Sequence, residues 1–450
     1  MVLGLGDTGL SMARWLARRG ADLRVADSRA EPPHAVQLAR ELPRVPLATG
    51  AFTEKTMSGA DVIAISPGID RRETPISDAV KRGVPVVGDV ELFAQALPVS
   101  RARGARVLAI TGSNGKSTVT AMTGEICRAA GRETVVAGNI GTPVLDALGA
   151  IEDGATTPEV FVLELSSFQL ESTQRLEAAA AAMLNLTEDH LDRYDGMTDY
   201  AAAKARVFAG NGAQVLNRDD RWSMNMARAG RTLFTFGLGR PRTDTEWGIA
   251  AAGGDALARG SRVLMALPEL PLAGLHNAAN ALAAHALAHA VGAPDSAVAQ
   301  ALRSFQGLPH RMQKVAEHAG VVFFDDSKGT NVGATVAALN GIRRPVVLIA
   351  GGDGKGQDFS PLAPAVKERA RAVVLIGRDA DRLALAIAAS NVPVKRAAGM
   401  DEAVETAFRA SREGDAILLS PACASYDMFR NYAHRGEAFV ASVRRLQARS

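Results

Sequence analysis

The chain carries, from residue 107, the run Val107-Leu-Ala-Ile-Thr-Gly-Ser-Asn-Gly-Lys-Ser-Thr118. Its aliphatic start predicts a buried strand, its glycines predict a tight loop, and its end predicts the first turn of a helix. Such a loop points backbone N–H groups and a helix N-terminus at one spot, which suits a polyphosphate. The run therefore predicts a nucleoside triphosphate site, in which Lys116 reaches the β- and γ-phosphates and the Ser117 hydroxyl faces Mg²⁺. The spacing departs from the standard G-x-x-x-x-G-K-[ST] loop, because Ile110 stands where that loop has its first glycine.

Length and composition limit the class of protein. A chain of 450 residues with 47% hydrophobic and 22% charged residues is expected to fold into several globular domains. Its net charge of +3 gives no overall field for nucleic acid, and Cys127 and Cys423 are too few for a disulfide framework or a thiolate cluster. No apolar run approaches the ~20 residues of a membrane span, and the start lacks the features of a signal peptide. We therefore expect a cytoplasmic protein with no nucleic-acid or membrane partner.

Strand and helix signals alternate in three blocks, which favours an α/β fold with mostly parallel, doubly wound sheets. Boundaries placed in the linker near Pro98 and in the turn before Pro309 divide the chain into residues 1–98, 99–307 and 308–450. A long helix is expected from about Asn277 to Val291, and a shorter helix is expected to end near Phe305. Besides the one at Val107, strands are predicted at Leu23–Ala26, Val62–Ile65, Val84–Val87, Val160–Leu165, Met183–Leu186, Val321–Phe324, Val346–Ala350, Val373–Ile376 and Ala416–Leu419.

The first block opens with Gly4-x-Gly6-x-x-Gly9 and has Asp27 eighteen residues after the third glycine. Formally this is a dinucleotide fingerprint, so an NAD-dependent dehydrogenase has to be considered. The pattern is weak by itself, and we interpret it as a diphosphate-binding turn to which Ser66-Pro-Gly68 adds a second anion-facing turn. Only three residues precede Gly4, too few for a full central strand, so we expect the natural start to lie upstream of Met1.

Three polar side chains of the second block predict a metal site. Glu164 lies within a strand pattern, where a carboxylate is costly to bury unless it is paired or bound to a metal. His190 follows the next strand, so both side chains are candidates for a metal shared with bound phosphates. Lys204 lies among apolar helical neighbours; it either extends its amine outward or is buried near the metal and carbamylated.

His285 and His289 lie four residues apart on one predicted helix. We expect them to pack rather than to bind a metal, because Ala286 stands where the zinc-protease pattern has glutamate.

Three polar loops follow three predicted strands of the third block. They are Asp325-Asp326-Ser-Lys328-Gly-Thr330-Asn331, Ile349-Ala-Gly-Gly-Asp-Gly-Lys355 and Ser420-Pro-Ala-Cys-Ala-Ser425. At one edge of a parallel sheet these loops would line one crevice, where Lys328, Thr330, Lys355 and Ser425 suit an anionic small molecule. Cys423 lacks a base pattern and is expected to be a packed thiol.

Several of these motifs together resemble the Mur ligase family, ATP-dependent amide ligases of bacterial cell-wall synthesis. The resemblance covers nearly the whole chain and includes Thr111–Thr118, Leu163–Leu170, Asn185–Arg193, Leu275–Asn280 and Leu308–Arg311. The loops at Asp326–Asn331, Gly351–Lys355 and Ser420–Ser425 are similar to those of the members that add D-glutamate. The Asn-Pro-Arg motif expected of the members that add diaminopimelate or lysine is not found.

The resemblance implies a Rossmann-like N-terminal domain, a central P-loop ATPase-type domain with a mostly parallel sheet, and a Rossmann-like C-terminal domain. It implies a monomer that uses ATP and Mg²⁺ to join D-glutamate to UDP-N-acetylmuramoyl-L-alanine through an acyl phosphate. Lys116, His190 and Lys204 would be catalytic, and Mg²⁺ would be held by Ser117, Glu164, His190 and the carbamylated Lys204. ATP would be bound by Gly112, Ser113, Asn114, Gly115, Lys116, Ser117, Thr118, Asn277, Asn280, Arg311 and Asp326; the UDP substrate by Asp7, Thr8, Asp27, Arg29, Ser66, Gly138, Asn139 and His190; and D-glutamate by Lys328, Thr330, Lys355, Ser425 and Tyr432.

Other interpretations stay open at this point. A folylpoly-γ-glutamate synthase is similar over the second and third blocks, but it lacks a separate N-terminal nucleotide domain. An inactive UDP-sugar-binding regulator would be expected to lose Lys116, Glu164, His190 and Lys204, all of which are present. The NAD-dependent dehydrogenase remains a more distant alternative.

Overall fold

The structure is a computed structural model that describes residues 1–250, 255–272 and 274–449. Its first part is a five-stranded, fully parallel sheet with the strand order β3-β2-β1-β4-β5. The first strand, of two residues, lies in the middle of this sheet. The elements are β1 (Val2–Leu3), α1 (Asp7–Arg18), β2 (Val25–Asp27), α2 (Ala35–Glu41), β3 (Leu47–Thr49), α3 (Glu54–Met57), β4 (Ile63–Ile65), α4 (Thr74–Lys81), β5 (Val86–Val87) and α5 (Asp89–Ala96).

The second part is built on a nine-stranded sheet with the order β14-β13-β12-β11-β10-β9-β6-β8-β7, antiparallel only at β12–β13 and β13–β14. Its elements are β6 (Arg106–Thr111), α6 (Lys116–Ala129), β7 (Thr134–Gly138), α7 (Val144–Glu152), β8 (Val160–Glu164), α8 (Ser167–Glu171), β9 (Ala180–Met183), α9 (Met197–Ala205), β10 (Ala213–Asn217), α10 (Arg221–Met224), β11 (Leu233–Phe236), β12 (Glu246–Ala250), β13 (Ala256–Arg259), β14 (Arg262–Ala266), α11 (Leu275–Ala290) and α12 (Asp295–Ser304).

The third part is a six-stranded sheet with the order β15-β16-β20-β17-β18-β19, antiparallel only at β15–β16. Its elements are β15 (Gln313–His318), β16 (Val321–Asp325), α13 (Val332–Gly341), β17 (Val346–Gly351), α14 (Leu362–Arg369), β18 (Ala370–Ile376), α15 (Ala380–Ile387), β19 (Val394–Arg396), α16 (Met400–Ala410), β20 (Ala416–Leu419) and α17 (Tyr432–Ala448).

The central strands are apolar throughout because both faces of each sheet are covered. In β6, Val107 and Ala109 pack into one hydrophobic core, whereas Leu108 and Ile110 pack into the core on the opposite face. Neighbouring side chains of β17 are divided between two cores in the same way. Burial on both faces is typical of parallel sheets covered by helices, and it explains why these strands read as continuous apolar runs.

The predicted α/β class with mostly parallel sheets is confirmed. The predicted boundaries at 98/99 and 307/308 fall between sheets, and as domain boundaries they stay predictions. The strand predicted at Met183–Leu186 was wrong: β9 is Ala180–Met183, and Leu184 to Leu186 already belong to the loop. Alanine is a poor strand former, so tertiary burial between β6 and β10 decided this strand. Among the described residues no helix is long and apolar enough to cross a membrane.

The turn after β1 depends on two glycines. Gly4 has a positive φ of 84°, which favours glycine. A Cβ atom on Gly9 would lie 1.7 Å from the carbonyl oxygen of Gly4, so α1 can approach the turn only without a side chain there. By contrast, a Cβ atom on Gly6 would meet no atom within 4 Å. The third glycine of the fingerprint therefore serves close packing between helix and strand.

We expect Gly9→Ala to destabilise the first sheet by about 1–3 kcal/mol, because the added methyl group overlaps backbone. Gly6→Ala is the matched control and should leave the unfolding temperature nearly unchanged. Differential scanning calorimetry of both variants measures the effect. Equal unfolding temperatures for the two variants would contradict the close approach of Gly9 to Gly4.

Candidate functional site

The loop between β6 and α6 has the form predicted for a phosphate site. Gly112 and Gly115 have φ values of 153° and 84°, and a Cβ atom on Gly115 would lie 2.5 Å from Asn280 Oδ1. The ammonium group of Lys116 bends back over the loop and donates to the carbonyl oxygens of Gly112 at 2.8 Å and Ser113 at 2.9 Å. Burial lowers the pKa of Lys116. The loop thus presents a lysine and the first turn of a helix at one point, as anion binding requires.

Asn114 ties this loop to two other parts of the chain. Its backbone N–H donates to Asn185 Oδ1 at 2.8 Å, and its carbonyl oxygen accepts from Asn185 Nδ2 at 3.0 Å. Its side-chain oxygen accepts from Asn331 Nδ2, across the junction with the C-terminal sheet, at 3.1 Å. The phosphate loop is therefore held by the segment after β9 on one side and by the start of α13 on the other.

A cavity of about 300 Å³ lies beside the loop at this junction. Ser117 does not line it, but its hydroxyl accepts a hydrogen bond from Arg311 Nη2 at 2.6 Å. The structure thus brings together residues of the second and third blocks that were predicted to hold one nucleotide. Of the residues predicted for ATP, those lining the cavity are Asn114, Gly115, Thr118, Asn277, Asn280, Arg311 and Asp326.

Asp326 is the buried acid of this cavity. It accepts hydrogen bonds from Ser420 Oγ at 2.8 Å and from the backbone N–H of Met312 at 3.3 Å. Burial raises its pKa to about 7, although the Ser420 hydroxyl and the Arg311 guanidinium favour the charged form. The carboxyl group therefore changes its charge near neutral pH.

Glu164 ends β8 and is buried, as its place in a strand predicted. Its Oε1 atom accepts from Asn139 Nδ2 at 2.9 Å, whereas its Oε2 atom has no hydrogen-bond partner among the described residues. A Cβ atom on Gly138 would lie 2.3 Å from the carbonyl oxygen of Glu164, so the end of β7 can lie this close to β8 only because residue 138 is glycine. An unpartnered buried carboxylate oxygen at a phosphate loop is the donor that a divalent cation requires.

His190 lies in the loop after β9 with a positive φ of 56°. Its ring packs edge-on against Phe168 with 4.7 Å between centroids, and its Nε2 atom lies 3.6 Å from Asp189 Oδ2. Burial lowers its pKa, and the nearby ammonium groups of Lys355, Lys116 and Lys204 lower it further, against Asp189. These effects favour the neutral imidazole, which has a lone pair available to a metal or a proton.

Lys204 faces inward, which excludes an outward-extended amine; its carbamylation stays a prediction. Its side chain is 1% exposed, and its Nζ atom donates to the carbonyl oxygen of Gly112 at 2.8 Å. It also lies 4.8 Å from the ring centre of Tyr200. Burial, together with the charge of Lys116, lowers its pKa well below the ordinary value. A lowered pKa favours the uncharged, nucleophilic form of the amine.

No three His, Cys, Asp or Glu side chains in the described part of the chain form a ready-made metal cluster. The predicted magnesium set contains two such side chains, Glu164 and His190, beside Ser117 and Lys204. His285 Nε2 lies 3.1 Å from Asp295 Oδ1, and both ring nitrogens of His289 lie 2.9 Å from Arg259 Nη1. Those two histidines are thus held by side chains, as expected, and both cysteines are buried.

A second cavity, of about 550 Å³, opens between the first sheet and the central sheet. Asp27 forms a salt bridge with Arg29, with 2.7 Å between Oδ2 and Nη2, and accepts from the backbone N–H of Leu5 at 2.6 Å. The Arg29 hydrogen bonds are the main reason that the pKa of Asp27 falls to about 2. Its oxygens are thus occupied, and Arg29 is the more exposed group. Lining residues that were predicted for the UDP substrate are Asp7, Thr8, Asp27, Arg29, Ser66 and Asn139; Gly138 and His190 do not line it.

The three polar loops of the third block lie at one edge of the C-terminal sheet, where β16, β20 and β17 are neighbouring parallel strands. Backbone hydrogen bonds join the loops: Ala422 N–H donates to Gly329 at 2.9 Å, and Asp353 exchanges two bonds with Ala424. The Lys328 ammonium lies 3.8 Å from the ring centre of Tyr432, and burial lowers its pKa to about 8. Thr330 and Lys355 are half-buried, and Ser425 is buried.

Sequence reasoning missed some residues of the site. Asp189 lies close enough to influence Lys116, Lys204 and His190, yet it was quoted only as part of a motif. The Tyr200 hydroxyl lies 3.3 Å from Ser113 Oγ, and it could have been found as the residue one helical turn before Lys204. Arg435 had no sequence signal, although it is fully buried and donates to Ser327 and Cys423 beneath the polar loops.

The fold and the site together define an α/β protein of the phosphate-loop class. Its phosphate loop belongs to the central sheet and contacts the C-terminal part of the chain. Profiles of the Mur ligase family match three stretches: the MurD-like N-terminal domain at residues 1–88, the middle domain at 110–288, and the glutamate ligase domain at 310–423. The chain belongs to the Mur ligase family.

Individual proteins agree with this assignment. A UDP-N-acetylmuramoylalanine–D-glutamate ligase from Thiobacillus denitrificans is 58% identical over 100% of this chain and 96% of its own length. A ligase of the same name from Nitrosospira multiformis is 56% identical over 100% of this chain and 95% of its own. The crystal structure of a UDP-N-acetylmuramate-alanine ligase from Thermotoga maritima has a TM-score of 0.58 at 18% identity, covering 100% of this chain and 99% of that one. At that identity the structural likeness shows the fold alone.

The raised pKa of Asp326 predicts a pH-dependent stability. Between its unfolded pKa of 3.8 and its folded pKa of about 7, the folded chain binds the proton more tightly. Its contribution to stability is therefore present at low pH and is lost as the pH rises through about 7. Urea unfolding measures the free energy of unfolding at about pH 5 and about pH 8. Its decrease between the two pH values should be smaller for Asp326→Asn than for the wild type. Equal losses in the two proteins would contradict the buried, proton-binding state of Asp326.

Proposed function

We propose that this chain joins D-glutamate to UDP-N-acetylmuramoyl-L-alanine in an ATP-dependent reaction that forms an amide. One observation carries the proposal. Asn139 lines the cavity at the first sheet and also donates a hydrogen bond to Glu164. The unpartnered oxygen of Glu164 lies at the edge of the central sheet from which the phosphate loop begins. The acceptor cavity and the nucleotide loop are thus linked through two side chains. The names of the relatives at 58% and 56% identity supply the substrates.

Mg²⁺ fits this site because Glu164 Oε2 is buried without a partner among the described residues and burial favours the neutral form of His190. Glu164, His190 and Ser117 would hold the cation, together with Lys204 once it is carbamylated. The chemistry that Mg²⁺ supplies is compensation of the negative charge on the transferring phosphoryl group. A hard cation of this kind prefers oxygen ligands, which Glu164, Ser117 and the phosphates of ATP would supply, and His190 would add one nitrogen.

The reaction proceeds in two displacements. A carboxylate oxygen of the L-alanyl group attacks the γ-phosphorus of ATP in line, the bond to the β–γ bridging oxygen breaks, and ADP leaves. Lys116 offsets charge on the phosphoryl oxygens in this step. The amine of D-glutamate then attacks the acyl carbon, inorganic phosphate leaves with the bonding electrons, and the amine loses a proton.

The C-terminal loops supply the groups for the incoming amino acid. Lys328 and Lys355 offer ammonium groups to its carboxylates, with Thr330, Ser425 and Tyr432 beside them. The contacts of Arg311 with Ser117 and of Asn331 with Asn114 support a closed arrangement in which these loops face the phosphate loop. Closure keeps water from the acyl phosphate. We place the reaction in the cytoplasm and expect a monomer to carry it out.

The alternatives from the sequence are less well supported. The match of residues 1–88 to a MurD-like N-terminal domain gives the chain the part that a folylpoly-γ-glutamate synthase lacks. In a dehydrogenase the acid after the glycine turn binds the ribose of the dinucleotide. Asp27 instead accepts hydrogen bonds from Leu5 and Arg29.

Phosphate release with UDP-N-acetylmuramoyl-L-alanine and a panel of amino acids tests the substrate. Absence of release with D-glutamate and Mg²⁺ would refute the proposal.

Lys116→Ala should lower the rate of ADP formation about 100-fold or more, because a charge that faces the transition state is lost. The measurement is ADP formation with both substrates and Mg²⁺ present. Lys367→Ala changes an exposed lysine near the end of α14 and should retain the full rate. Retained ADP formation in Lys116→Ala would contradict the role of this lysine.

The buried amine of Lys204, whose pKa burial lowers, should add carbon dioxide in its uncharged form: its nitrogen bonds to the carbon, and the proton lost from nitrogen leaves a carbamate anion. Carbon-13 NMR of the protein in labelled bicarbonate should show one carbamate signal, and Lys204→Ala should remove it together with most of the activity. Lys395→Ala, which changes an exposed lysine of β19, should keep both. A wild-type spectrum without the signal would contradict carbamylation.

A further inference from the structure

A cavity of about 690 Å³ lies between the first sheet and α9, apart from the sites described above. We call it the arginine cavity. Its lining includes the segment after β4 and side chains of α4, α8 and α9, as well as the loop that follows His190. Its charged lining residues are Asp70, Arg71, Arg72, Lys81, Glu171, Arg193, Asp199 and Arg206.

The arginine cavity is separated from the substrate cavity at the first sheet. The Arg193 guanidinium lies over the ring of Phe168, 4.8 Å from its centre, and the two side chains form the wall between the cavities. Phe168 lines only the substrate cavity and Arg193 lines only the arginine cavity. Arg193 is itself paired with Glu171 at 2.8 Å. A molecule in the arginine cavity would therefore not occupy the site of the acceptor substrate.

Two of the arginines differ from the others in their partners. Arg72 pairs with Asp70 at 3.0 Å, and Arg193 pairs with Glu171, so each has a carboxylate. Arg71 donates to the carbonyl oxygen of Glu171, and Arg206 donates from Nε and Nη2 to the carbonyl oxygen of Thr173. Within the described chain, neither Arg71 nor Arg206 has a carboxylate at ion-pair distance. Two half-buried guanidinium groups thus face one cavity with neutral partners only.

The energetics of this pair favour an added anion. Removal of a guanidinium group from water is costly unless it is paired, and carbonyl oxygens compensate only part of that cost. The charge of Arg206 acts against that of Arg71: burial, then this charge and that of Arg193 lower the pKa of Arg71, and the Glu171 carboxylate opposes them only in part. An oxyanion between them would remove the repulsion and receive charge-assisted hydrogen bonds from two planar forks.

We propose that the arginine cavity binds a small multivalent oxyanion, carried on carboxylate or phosphoryl groups, between Arg71 and Arg206. Arg71 lies in the loop between β4 and α4, and Arg206 follows α9, the helix that carries Lys204. The bound anion therefore ties the first sheet to α9. Because α9 has the catalytic lysine on one side and the arginine cavity on the other, the anion also stabilises the position of Lys204.

The test is isothermal titration calorimetry on the full chain without metal ions, using tricarballylate as the carboxylate probe and inorganic pyrophosphate as the phosphoryl probe. At least one probe should bind, and the stronger of the two identifies the chemistry of the natural ligand. Arg71→Gln and Arg206→Gln should each weaken that binding by about tenfold or more, the usual effect of losing a hydrogen bond to a charged group. Arg44→Gln, which changes an exposed arginine of the same part of the chain, should bind like the wild type.

Hydrogen–deuterium exchange of the wild type gives a readout that does not depend on folding of the variants. The probe should slow exchange in residues 167–173 and 197–206, which border the arginine cavity. Slower exchange confined to the phosphate loop at residues 112–118 would overturn the proposal. So would a wild type that binds neither probe, or glutamine variants that bind as tightly as the wild type.

Discussion

The structure depends on the burial of β6 between two hydrophobic cores. Because both of its faces are covered, β6 is fixed in register with its neighbours, with Ile110 opposite Glu164 and Thr111 opposite Met183. All of these strands run in the same direction, so their carboxyl ends meet at one edge. The phosphate loop, the unpartnered oxygen of Glu164 and the segment with Asp189 and His190 are adjacent for that reason. Apolar packing thereby sets the geometry of a polar site.

The electrostatics of the site arise where the central and C-terminal sheets meet. Lys116 and Lys204 come from the central part, whereas Arg311 and Lys328 come from the C-terminal part, and burial lowers the pKa of all four. Burial disfavours the charged forms of these basic side chains, and bound anions would stabilise them. A nucleoside triphosphate and acidic substrates would provide such anions. The basic side chains of the site and the proposed ligands are therefore complementary in charge. The same reasoning applies to the arginine cavity, where Arg71 and Arg206 meet between two parts of the chain.

Much of this arrangement could be predicted from the sequence. The phosphate loop at Gly112–Thr118 was readable because a strand, two glycines and a helix start follow one another locally. The polar loops of the third block were readable because parallel strands end at one edge, and the structure joins them through backbone hydrogen bonds. Local patterns failed at β9, whose Ala180–Ala182 is a strand only because β6 and β10 flank it.

The sequence by itself determined the α/β class, the phosphate loop and the chemical types of the candidate ligands, because each of these is encoded in a few consecutive residues. Only the tertiary structure decided that Lys204 is buried, that Glu164 keeps one oxygen unpartnered, and that Arg311 reaches Ser117. The same holds for the position of Arg71 and Arg206, which line one cavity. These properties depend on burial and on contacts between residues from different elements of the chain, which no local pattern contains.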